Sequence, residues 1–169
     1  MSYKRSSFSL TDDSGAPLTM QTSIGQGNTL VSPMHMALIT CAIANQGVLM
    51  KPYLIDRVEN YAGEKVSSNE PESYRTLMTN KEANLLSDLM TGVVNSGTAS
   101  ALSGRSYTVA GKTGSAEYNE AGDSHAWFVG YSNVAAPDIA VSIIVEGGGT
   151  GGAAAVPIAG QIFDAYYYN

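Results

Sequence analysis

Apolar and polar positions alternate along the chain in ways that mark out separate elements. Residues 1–21 are rich in Ser, Thr, Asp, Gly and Pro around isolated apolar residues (Phe8, Leu10, Leu18, Met20), the pattern of an extended, irregular lead-in. Ser32-Pro33 then sets an N-cap before a proline at the first helical position, and Gly47 supplies the stop. Between them Met34, Ala37, Leu38, Cys41 and Ala42 keep helical spacing, and Met36, Ile39 and Ile43 make the other side apolar as well. A helix apolar nearly all round is expected to be buried, with Cys41 as a small core residue. Pro52 delays the next strand to about Tyr53, with Tyr53, Ile55, Arg57 and Glu59 on alternate positions. A turn over residues 62–65 and a polar segment through Pro71 follow. Thr79-Asn80-Lys81-Glu82 reads as a capping box opening a second helix, whose stripe is Leu85, Leu86, Leu89, Met90, Val93 and Val94. Asn95-Ser96-Gly97-Thr98 ends it.

The second half of the chain changes to a period of two. Residues 107–117 and 124–131 are rich in β-branched and aromatic residues, and Asn119, Glu120, Gly122 and Asp123 between them have the composition of a hairpin connection. Residues 139–146 form a third strand, apolar enough to be central. Residues 147–152 are a glycine turn, and a last helix starts near Ala155 with Pro157 in its first turn and Ile158, Ile162 and Tyr166 on one face. The fold class is therefore α+β, an antiparallel sheet with packed helices.

Composition narrows the function. At 169 residues the chain suffices for one domain with a real core. Its 9 basic against 15 acidic residues give a net charge of −6, and the basic residues are scattered singly, so no nucleic-acid partner is expected. Cys41 is the sole cysteine, which rules out an internal disulfide. His35 and His125 have no partners at metal-ligand spacing, so neither a metal nor another cofactor is expected. No apolar run approaches the ~18 residues of a membrane span.

The candidate chemistry lies in Lys112-Thr113-Gly114-Ser115, which sets a cation, two hydroxyls and a residue without Cβ side by side on a strand. A strand glycine stands where a ligand or another backbone comes close. An ammonium beside hydroxyl donors suits a carboxylate, and a backbone N–H next to Gly114 suits a carbonyl oxygen. The plain alternative is an edge strand whose Lys112 discourages pairing with other chains. Three other motifs fail on context. Gly147-Gly148-Gly149-Thr150-Gly151-Gly152 matches G-x-G-x-x-G, but no second parallel strand with an acidic residue can follow before Asn169. Asp123, Ser124 and His125 are neighbours on a strand and point to opposite faces, and no G-x-S-x-G elbow exists. The loop Ile24-Gly25-Gln26-Gly27-Asn28 reads as a glycine turn that aims the first helix.

Lys112-Thr113-Gly114-Ser115 followed by His125-Ala126-Trp127-Phe128-Val129-Gly130-Tyr131 resembles the C-terminal half of the transpeptidase domain of class B-like penicillin-binding proteins. The Gly25-Gln26-Gly27 loop, the helix opening at Ser32-Pro33, the residues 44–52 and 93–99, and Ala155-Val156-Pro157-Ile158-Ala159 resemble the same family in the same order. The resemblance covers the chain from about Ser23, with residues 1–22 as lead-in and 23–169 as the C-terminal part of the domain. It implies part of the β-lactamase/transpeptidase-like (DD-peptidase) fold and a serine D-Ala-D-Ala transpeptidase that cross-links cell-wall stem peptides and is trapped by β-lactams. It implies Lys112 and Ser115 as catalytic residues and Thr113, Gly114 and Ser115 as substrate-binding residues, the Ser115 N–H being one oxyanion donor. Trp127 and Phe128 are expected to support the strand from behind. One departure matters: no serine is followed three residues later by lysine, so the S-x-x-K nucleophile of the family is missing. Ser67-Ser68-Asn69 has the form of the family's S-x-N but follows the Gly25 loop instead of preceding it, and reads as a polar surface turn. The expectation is a fragment, inactive alone, whose apolar first helix meets the missing N-terminal half or a second copy. A β-lactam-sensing binding domain and a serine β-lactamase on the same scaffold are the alternatives.

Overall fold

A computed structural model describes residues 5–118, 121–122 and 124–168. Of the expected hairpin turn, Asn119, Glu120 and Asp123 lie outside these described residues. The structure centres on three antiparallel strands, β5 (Val109–Glu117), β6 (Ser124–Ser132) and β7 (Ala140–Val145), in the order β5-β6-β7. β5 and β6 pair over nine positions without a bulge, from Val109 opposite Ser132 to Glu117 opposite Ser124. The three expected strands are all present, and the α+β class holds.

Helices cover the sheet because its two faces are apolar in different ways. On one face the helix α4 (Gly151–Tyr168) lays Ala155, Val156, Ala159 and Phe163 over Val109, Phe128 and Val141. On the other, α2 (Pro33–Ala44) and α3 (Asn80–Ser96) bring Ile43, Ala44 and Met90 to Ala110 and Tyr131. Gly111 and Gly130 stand opposite each other, and the Phe128 ring lies over both: a Cβ at Gly111 would come within 2.4 Å of it. Phe128 thus fills the space of two missing side chains and keeps this part of the sheet packed.

Both capped helices begin as their residues dictate. The Ser32 hydroxyl accepts the His35 N–H at 3.2 Å. At α3 the Thr79 hydroxyl accepts the Glu82 N–H while the Glu82 carboxylate accepts the Thr79 N–H at 2.7 Å, a complete capping box. Between α2 and α3 the chain forms one long antiparallel arm. Its strand β1 (Val48–Met50) pairs with β4 (Ser73–Thr76), and β2 (Arg57–Glu59) pairs with β3 (Lys65–Ser68).

Several expectations are corrected. The lead-in is helical from Ala16: α1 (Ala16–Ser23) opens at Pro17 in its first turn, and its polar composition hid a helix that buries no residue. The strand expected from Tyr53 is confined to Arg57–Glu59, since residues 51–56 form no regular strand. The segment through Pro71, read as polar turn, contains β3, which is fully exposed and carries no apolar alternation to betray it. α2 is not buried all round: Thr40 and Ala42 are buried, whereas Met34 and Cys41 are exposed. Partial desolvation still pushes the Cys41 thiol pKa up. In α3 the inward face is Ala83, Met90 and Val94, and Leu85, Leu86 and Leu89 face outward. In α4 the helix starts at Gly151, so Pro157 lies inside it, and Ile158, Ile162 and Tyr166 are on the exposed side. The small residues Gly151, Ala155 and Ala159, four apart, let the helix come close to the sheet, and Val156 and Phe163 fill the rest of the same buried face.

The C-terminal end of α4 is fastened by polar groups. Asp164 accepts two hydrogen bonds from Arg105, at 3.0 and 3.1 Å, and a third from the Tyr107 hydroxyl at 2.5 Å. The Tyr107 ring stacks on Tyr167 at 4.3 Å, and the Tyr167 hydroxyl donates to Asp138. The Arg105 and Tyr107 donors hold the Asp164 carboxyl below its usual range, while burial and the Asp164 bond push the Tyr107 phenol up. A carboxyl with a lowered folded-state pKa adds stability above its unfolded pKa, near 4, and loses it as pH falls through the lower folded value. Asp164→Asn is therefore expected to lower Tm at pH 7, and the gap to the parent should shrink as thermal unfolding is followed from pH 5 downward. Gly151 gives a second prediction. A Cβ there would lie 2.2 Å from the Trp127 carbonyl oxygen and 2.7 Å from that of Gly114. Gly151→Ala should cost about 1–3 kcal/mol in urea unfolding, the usual range for an overpacked site.

Candidate active site

β5 carries the candidate chemistry, and the ladder decides which way each group points. The Asn133 N–H donates to the Thr108 carbonyl at 2.7 Å, so Thr108 and Asn133 are a hydrogen-bonded pair. Counting along the unbroken register, Ala110, Lys112, Gly114 and Ala116 turn their backbone groups to β6. Thr113, Ser115 and Glu117 turn theirs outward, to the edge away from β6. Side chains alternate on the same parity: Lys112 and Gly114 share one face with Trp127 and Val129, and Thr113 shares the other with Phe128.

This edge forms one wall of a cleft of about 600 Å³. Lys112, Thr113, Gly114, Ser115, Trp127 and Val129 line it from the sheet, and Ile24, Gly25, Gln26, Thr29, Val31 and Met36 from the opposite side. The structure therefore brings all four motif residues together with the Gly25-Gln26-Gly27 loop, which is more than a turn that aims a helix. The Lys112 ammonium, on an exposed residue, donates to the Thr113 carbonyl at 2.7 Å. Gly114 adds no side chain to the cleft wall, and a Cβ there would crowd Trp127 Cβ at 3.3 Å. Ser115 is exposed, and its carbonyl accepts the Gln26 side-chain amide at 3.2 Å. Thr113 is the buried member, its hydroxyl 2.5 Å from that of Thr98.

Two residues differ in role from what the strand pattern suggests. Phe128 does lie behind the strand, fully buried, but Trp127 lines the cleft on the Lys112 face. Thr98, read as part of a helix ending, reaches Thr113 and so supports the site from outside the cleft lining; its place in the family-like stretch 93–99 was the available signal. His125 is turned to other work, its ring stacked on Tyr118 at 4.2 Å and its Nδ1 accepting the Gly147 N–H. Asp123, the third member of the rejected triad, lies outside the described residues. Among the described residues no group of three His, Cys, Asp or Glu side chains is placed to hold a metal ion. A smaller cavity of about 220 Å³, between α2 and Asp138, is lined by none of Lys112, Thr113, Gly114 and Ser115.

Residues 4–164 match the penicillin binding protein transpeptidase domain. Peptidoglycan D,D-transpeptidase PbpA of Mycolicibacterium smegmatis is 33% identical over 145 residues, which are 80% of this chain and 29% of that protein. Peptidoglycan D,D-transpeptidase MrdA of Haemophilus influenzae is 31% identical over 170 residues, covering 89% of this chain and 26% of that protein. Among solved structures, the ceftriaxone acyl-enzyme complex of penicillin-binding protein A from Mycobacterium tuberculosis superposes with a TM-score of 0.79 at 30% identity, over 87% of this chain and 35% of that one. The chain thus spans about three-tenths of the length of the curated relatives it matches. With its three-stranded sheet, its two covering layers and its Lys112-Thr113-Gly114-Ser115 edge, the chain belongs to the penicillin-binding protein transpeptidase family.

Proposed function

We propose that this chain is the substrate-holding part of a peptidoglycan D,D-transpeptidase, which binds the D-Ala-D-Ala end of a stem peptide along β5 and is blocked there by β-lactams. The observation that carries the reading is the outward-facing backbone of Ser115 beside the Lys112 ammonium in one cleft. A peptide laid along that edge can exchange backbone hydrogen bonds with it as an added strand. The Ser115 N–H then donates to the scissile carbonyl, and more strongly as its oxygen gains charge in the tetrahedral intermediate. Lys112 draws the substrate carboxylate and lends positive charge for proton transfer, with the Thr113 and Ser115 hydroxyls as further donors. Gly114 keeps the approach clear.

Acyl transfer also needs a nucleophile that attacks the carbonyl carbon, expels D-Ala and passes the acyl group to an amine of a second peptide. The 169 residues contain no S-x-x-K serine, so in this proposal that group is supplied from outside them, by the N-terminal half of the same domain. The chain alone then binds ligand without acylating. The parent protein works on the outer face of the bacterial cytoplasmic membrane, where the cell wall is built. Among the described residues no helix is long and apolar enough to cross a membrane.

Intact mass after incubation with a cephalosporin, on a chain shown folded by circular dichroism, tests this directly. The expected result is no added mass together with saturable shifts of the Thr113 and Ser115 amide resonances. Lys112→Ala should weaken that binding about tenfold or more, as for loss of a charge-assisted hydrogen bond. A covalent adduct would place a nucleophile inside the chain, and unchanged amide resonances would remove β5 as the ligand site.

The same proposal accounts for the uncovered surfaces. Met34 of α2 and Leu85 and Leu89 of α3 are each more than half exposed. On β7 the backbone groups of Ala140, Ser142 and Ile144 face away from β6, on an edge without charge or proline. In the absence of the other half of the domain, these surfaces favour pairing with a second copy. Light scattering should return a mass above the 17.7 kDa of one chain, and a monodisperse monomer would contradict it.

A further inference from the structure

The loop over residues 24–28 is tied to its own side of the cleft. The Gln26 N–H donates to the Gln21 carbonyl at 2.9 Å and the Gly25 N–H to that of Thr22 at 3.0 Å, both in α1. Gly25 and Gly27 take positive φ values of 80° and 72°, so the chain reverses on either side of Gln26 and projects its side chain across the cleft. Among the described residues, the bond from Gln26 Nε2 to the Ser115 carbonyl is the one hydrogen bond that joins this loop to β5.

That bond is made to a group the strand exposes. The Ser115 carbonyl is on the outward parity of β5, where an added strand would deliver an N–H. A neutral side-chain amide on an exposed carbonyl is a weak bond, readily exchanged for another of the same kind. From this we infer that Gln26 is a latch: its amide occupies the Ser115 acceptor when the cleft is empty, and a peptide strand must displace it to pair with β5. The inference rests on the reading of β5 as the peptide site and adds a specificity rule to it. Ligands that bring an amide N–H to Ser115 repay the broken latch, and ligands that lack it do not. Gln26 is in this sense a residue that selects strand-like ligands without taking part in acyl transfer.

The test uses the 169-residue chain, an N-acyl-D-Ala-D-Ala peptide and the same peptide N-methylated at each amide in turn, with binding followed by amide resonances. Gln26→Ala and Gln26→Met both remove the donor, and the second keeps the length of the side chain. Both variants are expected to bind the parent peptide about three- to tenfold more tightly than the unaltered chain, the range of one neutral hydrogen bond. That gain should vanish for the peptide methylated at the pairing amide. In the unaltered chain the Gln26 side-chain NH2 resonances should move as peptide is added. Tighter binding by the alanine variant alone would mean that bulk is at issue and would overturn the latch, as would equal or weaker binding by both variants. If the Ser115 amide shifts with peptide while neither variant gains, β5 remains the peptide site and the latch fails. If no β5 amide shifts in any of the three proteins, the site reading fails and the latch with it.

Discussion

Everything at the candidate site depends on how closely the start of α4 approaches the backbone of the paired residues Gly114 and Trp127. Gly151 fits against both carbonyl groups because it has no Cβ, and a Cβ at Gly152 would come within 2.8 Å of the Thr98 carbonyl oxygen. This contact supports β5 from behind at the point where Gly114 would otherwise leave a strand without side-chain packing. A rigid back lets the front of the strand carry polar groups toward a cleft without paying for them in disorder. The Thr98–Thr113 hydroxyl contact lies in the same seam and ties the end of α3 to it. Helix start, helix end and strand thus converge on one backbone segment.

Much of this was legible in the residues. The caps at Ser32 and Thr79 announced two helices through chemistry that is local, and the period-two runs announced β5, β6 and β7. The ordered motifs around Lys112 and Gly25 led to the family. What could not be read was direction. In α3 and α4 several large apolar residues, Leu85, Leu89 and Ile158, face outward, while Ala83 and Ala159 face in beside Met90 and Phe163. A count of hydrophobicity ranks the leucines and isoleucines first, but the buried face of each helix mixes small residues with a few large ones, Met90 in α3 and Phe163 in α4.

The arm between α2 and α3 shows the opposite limit. β3 and β4 are exposed throughout, so no alternation of apolar and polar residues records them, and the strands are held by backbone pairing. At the site, Trp127 was misread because neighbours on a strand look alike in sequence: only the register separates it from Phe128, which faces the other way. The contribution of Gln26 was equally hidden, since its partner Ser115 is 89 positions away along the chain.

The unbroken nine-pair register has a consequence for how such a chain can change over time. Because both the side-chain faces and the backbone groups alternate with odd and even positions, the site is a matter of parity. Replacing a residue on β5 alters one contact and leaves the rest in place. Inserting or deleting one residue between Val109 and Lys112 would exchange the two sets together, turning the Ser115 amide inward to β6 and swinging the lysine to the α4 face. The length of this short stretch is therefore held even more strictly than its composition.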